Sequence, residues 1–188
     1  MVEVRPYLPE DEASWVHCRT LSFLDTCYYD DVWPTRRQED DAVELVAVDP
    51  LGDVAAILDL SFAADDDGTL RATIDTVAVH PAHRRRGLAD ALLEQGLDAV
   101  RRRHAVSLDA WTREDVPALA WYAANGFTER FRYLHVHAQW EDDLGALITT
   151  DDSRVVGAFL HAGIEHETYL RARYRRVYVC RQLKREPV

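Results

Sequence analysis

Hydrophobic positions along this chain recur with two periods, which divide it into strands and helices. Alternating or short apolar segments predict strands at 2–7, 42–48, 54–62, 69–79, 105–111, 127–140, 154–162 and 175–183. Segment 154–162 also fits a helix, but its pair of valines and Gly157 favour a strand. Helical spacing predicts helices at 9–25, 85–103, 114–127 and 165–174. Segment 26–41 has no clear period, so we expect a loop, or a short helix ended by Pro34. Strand, helix, three strands, then alternating helices and strands indicate one mixed α/β domain.

Composition narrows the class of protein. The chain has 188 residues and a formal net charge of -11, so its surface repels nucleic acid and anionic lipid. It contains no apolar run long enough for a membrane span, and its first residues lack the pattern of a secretory signal. Cys18, Cys27 and Cys180 are too scattered for a disulfide framework or a metal site, so we expect reduced thiols and no metal. These features favour a cytoplasmic protein that does not bind nucleic acid or membranes.

Three consecutive arginines precede a glycine in the stretch "VHPAHRRRGLADALL", which begins at Val79 of this acidic chain. A strand here leads through a glycine-containing turn into a helix. The first N–H groups of a helix lack internal partners and the helix dipole adds positive potential, so an anion such as phosphate is expected at Gly87. One glycine is too few for the dinucleotide fingerprint, and no Gly-Lys-Ser/Thr follows for a P-loop. A solvated basic turn is the alternative.

The residues of this turn carry a resemblance to a known family. "TVAVHPAHRRRGLADALL" resembles the acetyl-CoA motif of the GNAT acyltransferase superfamily, with Arg84, Gly87 and Ala89 at its characteristic positions. "REDVPALAWYAANGF" is similar to the second signature of that family. The resemblance implies the GNAT acyl-CoA N-acyltransferase fold: α/β, with a mixed, mostly antiparallel central sheet flanked by helices. It implies one N-acetyltransferase domain over 1–188, with a C-terminal elaboration at about 141–173 that covers the acceptor cleft or makes a homodimer contact.

The same resemblance implies roles for individual residues. Acetyl-CoA would be the co-substrate, with its diphosphate in the turn and its pantetheine arm against the end of the preceding strand. Tyr122 would protonate the departing thiolate. At Asp115 many relatives carry Asn, so helix capping is the better use of this carboxylate. The expected cofactor-binding residues are Val77, Val79, Arg84, Arg85, Arg86, Gly87, Leu88, Ala89 and Asp115.

Acyl transfer also needs the acceptor amine in its neutral form, so a base is required. Asp75 is the candidate, because it lies in the otherwise uncharged stretch "ATIDTVAV" and shares strand parity with Val77 and Val79. Burial there would raise the pKa of its carboxyl toward a useful value. The alternative is an Asp in water, or one that holds a backbone turn.

The acceptor of this family usually meets the segment after the first helix, here "LSFLDTCYYDDVW". Carboxylates and aromatic faces together suit an ammonium group. An ordinary loop whose aromatics complete the core is the alternative. The candidate acceptor-binding residues are Asp25, Tyr28, Tyr29, Asp30 and Trp33.

Sequence alone thus predicts an N-acetyltransferase that moves an acetyl group from acetyl-CoA to a primary amine of a small cationic molecule. Two alternatives remain open at this point: a protein or peptide N-acetyltransferase, and a non-catalytic acyl-CoA-binding module.

Overall fold

The computed structural model of the chain describes residues 2–36, 41–142, 144, 153 and 155–186. Parts of two predicted segments lie outside these residues: 37–40 of the loop, and 143, 145–152 and 154 of the C-terminal elaboration. The predicted order of elements is confirmed. The strands are β1 (Glu3–Pro6), β2 (Val43–Val48), β3 (Val54–Ala64), β4 (Leu70–Val79), β5 (Leu108–Thr112), β6 (Thr128–Gln139), β7 (Gly157–Ala162) and β8 (Arg176–Arg185). The helices are α1 (Glu12–Phe23), α2 (Leu88–Arg102), α3 (Val116–Ala124) and α4 (Glu167–Arg173).

The chain divides into two compact units, Met1–Ala110 with Lys184–Val188 and Trp111–Leu183. In the first unit the strand order is β1-β2-β3-β4-β5. Neighbouring strands from β1 to β4 are antiparallel, and β5 runs parallel to β4. The expected mixed and mostly antiparallel pairing is confirmed. No helix among the described residues is long and apolar enough to cross a bilayer.

Helix α1 covers one face of the first unit's sheet. Trp15 and Cys18 of α1 are fully buried against Val46 and Ile57 of the strands. Their spacing of three residues puts both side chains on one side of the helix, as the sequence pattern predicted. Replacing a buried Trp by Ala typically costs about 3–5 kcal/mol, so Trp15 is the main apolar anchor of α1.

Helix α2 covers the opposite face of the same sheet, at close range. A Cβ placed on Gly96 would come within 2.9 Å of Leu58 Cδ2 and 3.1 Å of Leu60 Cδ1. A larger residue at position 96 would therefore have to displace the buried side chains of Leu58 and Leu60 where the helix crosses β3. Because side chains alternate along a strand, Leu58 and Leu60 face α2, whereas Ile57 and Asp59 face α1.

The pairing of β3 with β4 contains a β-bulge. Asp59 pairs with Thr76, but Leu60 pairs with Ile74, so Asp75 is an extra residue on β4. This bulge breaks the simple alternation of side chains from which the parity of Asp75 with Val77 was predicted. The described ladder between β4 and β5 covers Ala72–Ile74, so the last residues of β4 lie beyond it.

The second unit has its own core. Strand β6 pairs with β7 in antiparallel register from Leu134↔Ala162 to Gln139↔Gly157 and also neighbours β8. Alternate residues of β6, including Leu134 and Val136, are buried with Tyr174 and Val177. The other face of β6 carries aromatic and histidine side chains.

Candidate active site

The turn between β4 and α2 has the backbone conformation of an open loop. A 3₁₀ turn at Pro81–His83 follows the strand, and Arg85 and Gly87 have φ angles of 60° and 73°. Gly87 is the N-cap of α2, which begins at Leu88 rather than at the predicted residue 85. The left-handed conformation at Gly87 disfavours residues that have a Cβ, so the backbone itself favours glycine here, apart from any need for a ligand to come close.

The start of α2 has the features of an anion site. The first helical bond runs from Ala91 N to Gly87 O at 3.0 Å. Helix geometry therefore leaves the N–H groups of Leu88, Ala89 and Asp90 without acceptors inside the helix. A Cβ on Gly87 would meet no atom within 4 Å, so the main chain is open to an approaching group.

The three arginines before Gly87 differ in their hydrogen-bond contacts. Arg84 donates from Nη2 to Ser22 O at 3.0 Å and from Nε to Val79 O at 3.3 Å, which ties the turn to the last part of α1. Arg86 donates to Ala82 O at 3.1 Å, within the turn itself. Arg85 and Arg86 are exposed and add positive charge around the helix start.

His80 caps the turn that precedes Gly87. Ala82 N donates to His80 Nδ1 at 3.2 Å, which caps the 3₁₀ turn. Burial, together with His83, His17 and Arg84, lowers the pKa of His80. The lowered pKa favours the neutral imidazole, whose Nδ1 accepts the main-chain hydrogen bond.

Asp75 differs from the expectation in one respect. Its side chain is exposed, so the prediction that Asp75 is buried is wrong. The β-bulge is the physical reason, because it turns this residue out of the alternation of β4. Asp75 Oδ1 accepts a hydrogen bond from Ser61 Oγ at 3.0 Å. Its role as a base stays a prediction.

Some side chains of the predicted acceptor segment after α1 pack against other parts of the protein, and others are exposed. The Arg19 guanidinium lies 3.6 Å from the ring centroid of Trp33 and forms a 2.7 Å ion pair with Asp31. Trp33 also stacks on Trp15 at 6.2 Å between centroids. These contacts are those of an aromatic that completes the core. Tyr28 is half-buried and packs against Phe23, while Asp25, Tyr29 and Asp30 are exposed.

In the second unit, Asp115 and Tyr122 belong to α3. Asp115 Oδ1 accepts a 3.0 Å hydrogen bond from Ala118 N, so the predicted helix cap is confirmed. Tyr122 is 5% exposed, and its ring meets those of Trp121 and Phe127 edge-on at 5.0 and 5.1 Å between centroids. Burial fixes the orientation of the ring; its part in proton transfer stays a prediction.

A family model described as "Acetyltransferase (GNAT) family" matches residues 10–127, more than half of the chain. The chain belongs to the GNAT acetyltransferase family. It is therefore an N-acetyltransferase that depends on acetyl-CoA, and the open turn at Gly87 lies in the part of the chain that the family model covers. A comparison with curated proteins found no match.

Solved GNAT structures share the fold at low sequence identity. The ribosomal-protein-S18-alanine N-acetyltransferase from Escherichia coli is 17% identical with a TM-score of 0.59, over 100% of this chain and 94% of that one. A nourseothricin acetyltransferase is 17% identical with a TM-score of 0.55, over 100% and 99%. A NatC complex bound to Gag peptide and CoA is 16% identical with a TM-score of 0.59, over 100% and 98%. Their acceptors differ in kind, so the fold leaves the acceptor of this GNAT enzyme open.

Sequence reasoning about this GNAT chain missed Asp59. Burial raises the pKa of its carboxyl to about 7, and the nearby negative charge of Asp75 adds to the rise. Its Oδ1 is shielded from solvent and has no hydrogen-bond partner among the described residues. The available signal was one charged residue inside the apolar run "VAAILDLSF".

Sequence reasoning also missed an aromatic and histidine surface in the second unit of this acetyltransferase. Its signal was the alternation "FRYLHVH" along β6, which places these side chains on one face. His135 Nδ1 accepts from Arg113 Nε at 3.2 Å, so Nε2 carries the proton and donates to Tyr133 Oη at 2.8 Å. Burial, Arg113 and the neighbouring histidines lower the pKa of His135 to about 3. A pocket of about 440 Å³ on this surface is lined by Trp111, Phe131, Tyr133, His161, Ala162 and Gly163.

Proposed function

We propose that this GNAT enzyme acetylates a primary amine of a small cationic molecule. The observation that carries the proposal is the exposed acidic and aromatic segment after α1, with Asp25, Tyr29 and Asp30, on a chain of net charge -11. A cationic acceptor is attracted both by these side chains and by the field of the whole protein.

The donor half of the reaction is assigned to the first unit. The main-chain N–H groups at the start of α2 bind the diphosphate of acetyl-CoA, and Arg85 and Arg86 supply charge around it. Val77 and Val79 lie beyond the described β4–β5 ladder, which supports pairing of their main chain with the pantetheine arm.

Proton transfers complete the proposed reaction. Asp75 accepts the proton of the acceptor ammonium, and Tyr122 donates a proton to the thiolate of coenzyme A as it leaves. A thiol has a pKa of about 8.5, so a general acid contributes only modestly, and positioning of the thioester carbonyl contributes more.

The experiment is thiol release from acetyl-CoA with three acceptors of matched amine reactivity: a small diamine, a monoamine of equal chain length and a peptide with a free N-terminus. We expect the highest kcat/KM for the diamine. We also expect the Asp25→Asn/Asp30→Asn double variant to raise KM for the diamine, leave the monoamine unchanged, and bind acetyl-CoA normally.

Each alternative has its own outcome. Preference for the peptide, with no effect of the double variant, assigns the enzyme to protein or peptide acetylation. Acetyl-CoA binding without turnover on any amine removes the catalytic assignment. Asp66→Asn is the matched control, because Asp66 is exposed on the β3–β4 turn and has the same charge.

A further inference from the structure

Asp59 is placed on the α1 face of the first unit's sheet, at the β-bulge. It shares that face with Ile57, which packs against Trp15 of α1. The bulge puts Asp75 and Thr76 together opposite Asp59. Two carboxylates on neighbouring strands therefore belong to one local cluster: the carboxyl of Asp59, whose Oδ1 is buried, and the exposed carboxyl of Asp75.

The cations near Asp59 are already paired with other carboxylates. Arg36 forms an ion pair with Glu44, the β2 residue that pairs with Asp59 in the sheet register. Arg19 forms its ion pair with Asp31 at 2.7 Å. Each arginine favours the ionised form of Asp59, Arg36 more than Arg19, and each also has a carboxylate partner of its own.

Another polar neighbour is the indole N–H of Trp15, which also favours the ionised carboxylate. Neither Trp15 Nε1 nor Asp59 Oδ1 completes a hydrogen bond among the described residues. Burial and the charge of Asp75 oppose ionisation, and the balance leaves Asp59 with a pKa of about 7. A carboxyl with this pKa changes its protonation state near neutral pH, whereas an ordinary Asp does so near pH 4.

We propose that Asp59 and Asp75 act as one proton-accepting pair, in which the exposed Asp75 meets the acceptor ammonium and the buried Asp59 holds the proton removed from it. The inference rests on the proposed acetylation of an amine. Asp75 touches the substrate, whereas Asp59 acts through Asp75 and sets the basicity of the pair.

The protons balance in this scheme. The ammonium gives one proton to the pair, and its nitrogen forms a bond to the thioester carbonyl carbon. The C–S bond breaks with its electrons on sulfur, the new amide nitrogen loses its second proton, and the thiolate takes up one proton to leave as a thiol. The pair then returns its proton to water through exposed Asp75.

The raised pKa of the carboxyl pair makes proton transfer from the acceptor ammonium less unfavourable. Proton transfer from an amine of pKa about 10 to a carboxylate of pKa about 4 is unfavourable by about a millionfold. Transfer to a carboxylate of pKa about 7 is unfavourable by only about a thousandfold. Proton transfer from the ammonium to the pair is therefore less unfavourable, by about a thousandfold, than transfer to an isolated, solvated Asp.

The first test follows the indole N–H resonance of Trp15 by NMR as the pH is varied, with Trp15→Phe used to assign it. We expect a titration with a midpoint near 7, in line with the raised pKa of Asp59. Asp59→Asn should abolish this titration. Asp75→Asn should move the midpoint to lower pH, because it removes a neighbouring negative charge. If the chemical shift of the wild-type Trp15 indole does not change between pH 6 and 8, the proposed pairing of Asp59 with Asp75 is overturned.

The second test measures kcat/KM for an amine acceptor from pH 6 to 9. Wild type and Asp66→Asn should rise about tenfold per pH unit and level off near pH 7. Asp59→Asn and Asp75→Asn should lose that break and fall at least tenfold at pH 7.5, while still binding acetyl-CoA. A break near 7 and a rate within twofold of wild type in both variants overturns the proposal.

The two tests separate this inference from the proposed function. Acetylation of amines without any titration at Trp15 leaves the proposed function standing and removes the pair. Titration at Trp15 with no acetylation of any amine removes the proposed function and, with it, the pair's role as a base.

Discussion

Replacing Gly87 by Ala separates the backbone requirement of the turn from its ligand-binding role. Gly87 has a φ of 73°, and an added Cβ would meet no atom within 4 Å. The cost to folding is therefore conformational alone, about 1–2 kcal/mol for a left-handed residue other than glycine. For a chain of this length that lowers the Tm by about 2–8 °C. The Cβ would also occupy space into which the coenzyme diphosphate is expected to come.

Gly68→Ala is the matched control for this prediction. Gly68 has a φ of 81°, lies in the same unit, and also has open space where an added Cβ would lie. Both variants should lose similar Tm in thermal melts. Calorimetry should show that Gly87→Ala alone loses acetyl-CoA affinity, by at least about tenfold or 1.4 kcal/mol, and that Gly87→Glu binds none. Equal affinity in the two alanine variants would refute the diphosphate site.

Further predictions concern the proposed general acid Tyr122, the hydrogen bond from Arg84 to Ser22 O that braces the turn, and stability in acid. Tyr122→Phe should lower kcat with little change in acetyl-CoA affinity; unchanged kcat removes Tyr122 from catalysis. Arg84→Ala should raise KM for acetyl-CoA several-fold because it frees the turn from Ser22 O, and an unchanged KM argues against the brace. Arg5 and Leu8 N hold the buried Asp11 carboxylate, and its pKa lies below the usual value chiefly because of its hydrogen bond to Arg5. The stabilisation that the ionised Asp11 gives to the folded state is present above about pH 4 and is lost as the pH falls toward the depressed pKa. Asp11→Asn should lower the free energy of unfolding, measured with denaturant at pH 7, by about 1–3 kcal/mol and should weaken the fall in stability at acid pH.

Local sequence signals predicted much of the fold, and their limits are physical. Apolar periodicity identified α1, and the carboxylate of Asp115 identified the start of α3, because both depend on neighbours along the chain. The start of α2 was placed too early because the helical pattern extends through Arg85, whose positive φ excludes it from the helix.

The candidate site was less accessible to sequence reasoning, because it depends on pairing between strands. Alternation predicted that Asp75 shares a face with Val77, but the bulge opposite Asp59 depends on how β3 and β4 pair. The buried state of Asp59 likewise depends on Trp15 and on arginines distant in sequence. The turn at Gly87 was predictable because its backbone conformation and its charges lie within a few consecutive residues.

The brace between Arg84 and Ser22 is asymmetric with respect to mutation. Its acceptor is a main-chain carbonyl, which every amino acid possesses, whereas its donor is one guanidinium. A scan of all substitutions should therefore find that the brace survives small replacements at position 22 and fails at position 84. The link between the end of α1 and the turn before α2 thus depends on the side chain of one residue.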